Sequence, residues 1–220
     1  MSRPVTRRLR HNLIDLALHE LRPGHNGARP LLLVHGLGEA TPAAAPVWTG
    51  VWAGGVFGLD LTGHGESAVP AGGGYTPEVL MADVDTAVAA LGPSTLVGRG
   101  LGAYLCLLLA GARPGVVRGA VLADGPGLAG GTTGPPSPTV LTVDPSDEGT
   151  APDPWALAEL TRDVRPRDYA VTFARSAVQQ SGLETPIVVT ARYRPPWLQA
   201  VAAEPGVVED TIEGALTRLA

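Results

Sequence analysis

Lysine is absent: all sixteen basic residues of this 220-residue chain are arginine. In a sequence so rich in alanine, glycine and proline, that absence reads as compositional bias and carries no functional weight. Cysteine is nearly absent as well. Cys106, set among Leu105 and Leu107 to Leu109, is the only one, which excludes an intramolecular disulfide and a thiolate metal cluster and fits a reducing compartment. No apolar run is long enough to span a membrane. Arg3, Arg7, Arg8 and Arg10 near the start have the charge of a signal-peptide n-region, but Asn12-Leu13-Ile14-Asp15-Leu16 offers no continuous apolar block behind them. The expectation is a cytoplasmic protein without a secretory signal. The formal net charge of -5 argues against nucleic acid as a partner. Histidine is absent from the whole C-terminal part of the chain, the five being His11, His19, His25, His35 and His64.

What is present is an apolar content of 45% in a length suited to one core, so a single α/β domain over 1–220 is expected. Leu13 to Leu21 alternates like a strand. Pro30 to His35, Gly55 to Asp60, Thr95 to Gly98, Arg118 to Ala123 and Pro186 to Ala191 are short, mostly apolar runs, the pattern of strands buried on both faces of a parallel sheet. Between them lie helical segments. Thr76-Pro77 opens one with an N-cap and a proline at its first position, and Gly92 ends it. Others run from Leu101 to Ala112, from Asp153, from Pro166 to before Gly182, from Pro196 to Glu204 and from Asp210 to Leu219. Residues 129–154 are rich in Gly, Pro, Ser, Thr and Asp and read as loop, with a short strand at Thr139 to Val143. Alternating strands and helices predict a mostly parallel sheet covered on both faces.

The most telling stretch is Gly98-Arg99-Gly100-Leu101-Gly102, where an apolar strand turns at once into an apolar helix. It has the form of a nucleophile elbow, G-x-S-x-G, with glycine at the central position. Two further motifs precede it, His35-Gly36-Leu37-Gly38 and Asp60-Leu61-Thr62-Gly63-His64-Gly65-Glu66-Ser67, and Val121-Leu122-Ala123-Asp124 follows. In this order and spacing the chain resembles the α/β-hydrolase superfamily. The resemblance implies that fold, an oxyanion hole from the backbone amides of Leu37 and Leu101, and a reduced lid within 129–182.

Active members of that superfamily carry a nucleophile, an acid and a histidine in chain order. Gly100 stands at the nucleophile position and has no side chain. After the seventh strand, the usual place of the acid, stands Arg192-Tyr193-Arg194; Asp124 fits the alternative acid position after strand six, or equally an Asx-type turn. No histidine follows the elbow. These positions together predict a non-catalytic member, a pseudo-hydrolase that binds a small apolar or anionic ligand, or a protein partner or second copy of itself. Its elbow also resembles that of the N-myc downstream-regulated proteins through Gly102-Ala103-Tyr104-Leu105. The candidate pocket comprises His35, Gly36, Leu37, Arg99, Gly100, Leu101, Asp124, Arg192 and Arg194, with no metal and no cofactor. The alternatives are a hydrolase or lyase using unfamiliar residues, such as Asp124 with Arg99 or His35, and a structural subunit of an assembly. Gly100 itself reads as an elbow turn relaxed once chemistry is not required, or as room for a ligand atom. His35, His64 and Asp60 read as turn residues.

Overall fold

The computed structural model describes residues 4–25, 27–131 and 149–220; the strand expected at Thr139 to Val143 lies outside them. Eight strands form one sheet: β1 (Val5–His11), β2 (Ile14–Arg22), β3 (Leu31–Val34), β4 (Val56–Asp60), β5 (Ser94–Arg99), β6 (Val117–Ala123), β7 (Ile187–Val189) and β8 (Val207–Glu209). Their order across the sheet is β1-β2-β4-β3-β5-β6-β7-β8. The pairs β1/β2 and β2/β4 are antiparallel and all others are parallel. Among the described residues six α-helices flank the sheet: α1 (Pro77–Leu91), α2 (Leu101–Ala112), α3 (Pro154–Arg162), α4 (Arg167–Gln180), α5 (Pro196–Ala202) and α6 (Ile212–Leu219). This is the expected α/β-hydrolase architecture.

The pleat of each parallel strand divides its side chains between two cores. Leu32, Val34, Leu96, Leu122 and Val189 face one way and meet the apolar sides of α1 to α5. Leu31, Leu33, Val97, Val121 and Val188 face the other way, where α6 and the segment around Trp52 cover them. Strands buried on both faces therefore read as continuous apolar runs. Helix ends follow local chemistry. The Thr76 hydroxyl accepts from Val79 N and Pro77 fills the first turn of α1, while Asp153 accepts from Trp155 N at the start of α3.

The Arg-rich N-terminal stretch is a strand that the sequence reading does not contain. Arg7, Arg8 and Arg10 pair with Glu20, Glu66 and Asp15, and β1 turns back into β2 through Asn12, at a φ of 53°. Exposed pairs of this kind add little stability, but charge on an edge strand prevents pairing with other chains. Alternation is hard to see there because both faces of β1 are polar or half-exposed.

The motif from Asp60 to Ser67 is a rigid turn. Asp60 accepts from Thr41 N at 2.7 Å, Glu66 N at 2.7 Å and the His19 ring at 3.0 Å. Burial alone would raise its pKa; the Glu66 and Thr41 amides and His19 outweigh that and hold it below the usual carboxylate range. Ser67 donates to Asp60 O and accepts from Ala17 N. Next to this turn the buried rings of His35 and His64 lie 5.1 Å apart. Leu61 N can only donate, so the His35 Nε2 it bonds at 3.1 Å is the acceptor, and Nδ1 carries the proton toward Gly36 O at 2.8 Å. Burial, and then the proximity of His64, bring the His35 pKa down to about 4, and burial lowers that of His64.

Helix α2 sits directly on the strands. A Cβ at Gly102 would stand 2.3 Å from Val34 O and 2.6 Å from His35 O, so no larger residue fits without moving backbone. Gly102→Ala is expected to destabilise the fold by about 2–3 kcal/mol, measured by urea unfolding, since overpacked cores typically lose that much. A second outcome concerns pH. Between about 6.5 and about 4 the unfolded chain binds a proton at His35 that the folded chain refuses, so stability is complete above that window and falls as pH drops through it. At about 1.4 kcal/mol per pH unit the contribution approaches about 3 kcal/mol. Unfolding curves at about pH 7.5 and about pH 5 should diverge in the wild type and converge in part in His35→Gln.

Candidate functional site

The elbow is formed as the sequence implies. Strand β5 ends at Arg99, α2 begins at Leu101, and Gly100 stands alone between them with φ 56° and ψ −119°. Glycine here carries no side chain for the turn to strain. The backbone keeps a conformation that strains any residue bearing a Cβ, and glycine holds it at little cost. The space above Gly100 is also taken. A Cβ there would lie 2.0 Å from Pro126 O and 2.6 Å from Gly125 C.

The loop after β6 occupies that space. Pro126 O accepts a hydrogen bond from Leu37 N at 3.0 Å and from Leu101 N at 2.9 Å. These are the two amides that the resemblance assigns to an oxyanion hole, and both converge on one carbonyl oxygen of the same chain. Distances of this size are those expected between oxyanion donors and the oxygen they stabilise. Pro126 does not stand out in the amino-acid sequence. Its only signal is Gly125-Pro126-Gly127 directly after a buried strand, two glycines that let a backbone approach Gly36 and Gly100 closely.

The loop is held from behind. The Arg165 guanidinium donates to Gly127 O at 2.5 Å and Leu128 O at 2.8 Å, and the Trp197 indole donates to Leu128 O at 2.8 Å. Arg165 is buried and lies 4.7 Å over the Tyr104 ring, which in turn meets Trp197 edge-on at 5.0 Å. A cation over an aromatic face, out of water, is a favourable partner for such an anchor. Leu128 is itself part of the core.

The other candidate residues do not converge on Gly100. Asp124 accepts from Arg192 N at 2.7 Å and Tyr193 N at 3.0 Å, so both its oxygens fasten the loop after β7. Arg194 makes a two-pronged pair with Glu209 at 2.6 and 2.8 Å. Arg192 and Arg194 border a shallow cavity shared with the start of α6, away from the elbow. Arg99 pairs with Glu39 at 2.9 Å, and the other Glu39 oxygen accepts from Gly36 N. His35 and Arg99 line a cleft of about 410 Å³ on the sheet face opposite α2. Gly36, Leu37, Gly100 and Leu101 surround the Pro126 carbonyl instead. Among the described residues no group of three or more His, Cys, Asp or Glu side chains is placed to hold a metal, and no helix is long and apolar enough to cross a membrane.

Known proteins share this architecture. No curated protein sequence matches the chain. Among solved structures it is similar to the thioesterase domain from the curacin biosynthetic pathway, with a TM-score of 0.61 at 16% identity over 99% of this chain and 98% of that one. It is also similar to the haloalkane dehalogenase DatA from Agrobacterium tumefaciens C58, with a TM-score of 0.62 at 17% identity over 100% and 98%. A carboxylesterase structure from the thaumarchaeon Nitrososphaera gargenis gives 0.62 at 14% identity over 93% and 89%. At such identities the likeness is one of fold. Residues 31–215 match the Alpha/beta hydrolase family, and the chain belongs to that family.

Proposed function

We propose that this chain is a non-catalytic member of the alpha/beta hydrolase family, a binding protein built on the scaffold of an enzyme. The observation that carries the proposal is the Pro126 carbonyl seated between Leu37 N and Leu101 N, in the place of a substrate oxygen. Gly100 supplies no nucleophile, and all five histidines precede it, so no base follows β8 to activate one. The structures it resembles are named as a thioesterase, a dehalogenase and a carboxylesterase. Hydrolysis at the elbow here would first require the loop to leave. Leaving breaks the two hydrogen bonds that the Leu37 and Leu101 amides donate to Pro126 O and the three donated by Arg165 and Trp197. At roughly 1 kcal/mol net for each, that is roughly 5 kcal/mol before any substrate is bound.

One arrangement favours the hydrolytic alternative. Thr6 Oγ1, the His19 ring and Asp60 form a hydroxyl–imidazole–carboxylate chain with contacts of 2.9 and 3.0 Å. Asp60 also receives Thr41 N and Glu66 N, which is the bonding of a turn brace. The bracing role accounts for the chain without chemistry.

Wild-type protein should therefore hydrolyse para-nitrophenyl acetate no faster than a heat-killed control and take no label from a fluorophosphonate probe. Turnover lost in Asp124→Asn, or labelling lost in Thr6→Val, would overturn the proposal. Gly100→Ser restores a hydroxyl but should remain inactive. It should also lose at least about 1–3 kcal/mol of stability in urea unfolding, because its Cβ enters at positive φ against Pro126 O.

A further inference from the structure

The face of the sheet opposite α2 has a cavity that the sequence itself leaves open. Between β3 and β4 the chain crosses this face as a strap, residues 39–48, followed by a short 3-10 turn at Val47–Val51. Between Glu39 and Val47 the strap offers only alanine, proline and threonine. Thr41 packs on Gly58 of β4 and Ala45 against the core on this face, but side chains this short leave unfilled part of the space a packed helix would fill. The strap cannot collapse inward either. Thr41 N is tied to Asp60 at 2.7 Å, and at the far end the Arg22 guanidinium binds the carbonyls of Thr49, Trp52 and Gly54. The result is the cleft of about 410 Å³, within the size range of small-molecule sites.

Its position is favourable. Strands β3 and β5 are neighbours, yet the chain leaves β3 toward β4 and β5 toward β6, in opposite directions along the sheet. The crevice at the carboxyl ends of two such strands is where open α/β sheets bind ligands. Leu33 and Val97 form the floor, Pro46 and Trp48 a wall, and the Glu39–Arg99 pair stands at the mouth. The formal charges of the lining cancel. His35 adds none, because both its ring nitrogens are committed to backbone and its pKa near 4 leaves it neutral. A charged guest would lose hydration with no unpaired opposite charge to meet it. A neutral guest meets an apolar floor, an indole and the remaining N–H groups of Arg99.

We propose that the cleft between the strap and the ends of β3 and β5 is a binding site for a neutral small molecule with an apolar, preferably aromatic, body and a single hydrogen-bonding group. The body lies on Leu33 and Val97 beside Trp48, and the polar group points to Arg99 and Glu39. The site is separate from the plugged elbow. It deepens the reading of the protein as a binding protein but does not depend on the elbow being silent.

Three probes with one ring system test it: naphthol, naphthoate and naphthylmethylammonium, titrated by calorimetry into the full chain near neutral pH. Naphthol should bind one-to-one and the two ions at least about tenfold more weakly, a difference of about 1.4 kcal/mol. Amide shifts in the wild-type protein should centre on Ala40, Val97 and the Trp48 indole. Trp48→Ala, shown by melting to be folded, should weaken naphthol by at least about tenfold. Absence of naphthol binding, equal binding of naphthoate, or shifts centred on Gly100 or Arg192 would each overturn the site, and the wild-type shifts decide the matter if Trp48→Ala fails to fold. Ester turnover together with Trp48-dependent naphthol binding would sink the non-catalytic reading and leave this site standing.

Discussion

One backbone oxygen ties together the three crossovers at the centre of this protein. Pro126 O, from the loop after β6, receives the amide of Leu37 after β3 and the amide of Leu101 after β5. Each of those amides would otherwise lie unpaired above a buried sheet edge, at the cost of an unsatisfied polar group. In an enzyme that deficit is useful, because an anionic transition state removes it. Here the fold removes it internally. The same contact fills the space over Gly100, and the positive φ retained there is strained only for residues with a Cβ. The glycine at position 100 and the Pro126 carbonyl seated over it are thus one arrangement seen from two strands.

The closure is stable because its supports are buried. Arg165 reaches the loop from the segment between α3 and α4, and Trp197 from the first turn of α5, with Tyr104 of α2 between them. A buried guanidinium demands acceptors, and the carbonyls of Gly127 and Leu128 supply two. Helices that cover one face of the sheet therefore also pin the loop that covers the elbow. Core packing and site closure are the same set of contacts.

The opposite face is organised differently. It carries α6 and the strap in place of a full layer of helices. Small strap residues and anchors at both ends leave an opening on this face. The cleft proposed for a small molecule therefore lies across the sheet from α2, at the ends of β3 and β5.

Much of this was legible in the residues. Continuous apolar runs located the parallel strands, because burial on both faces removes alternation. Thr76-Pro77 and Gly92 bounded α1, because caps act locally. The central glycine and the absence of later histidines were visible without coordinates. Strand β1 was not, because its polar faces carry no period to read. Nor was Pro126 distinguishable from any other Gly-Pro-Gly turn: its role comes from amides about 90 and 25 residues away, and only the folding of the chain brings them together. The same holds for Asp124, open in sequence between acid and turn, whose partners are two amides after β7. The sequence by itself determined the sheet, its helices, the glycine at position 100 and the placing of every histidine before it, all encoded in local pattern and residue identity. What stands over Gly100 and where the cleft beside β3 and β5 opens were decided by the tertiary structure, since both depend on backbone groups that every residue carries alike.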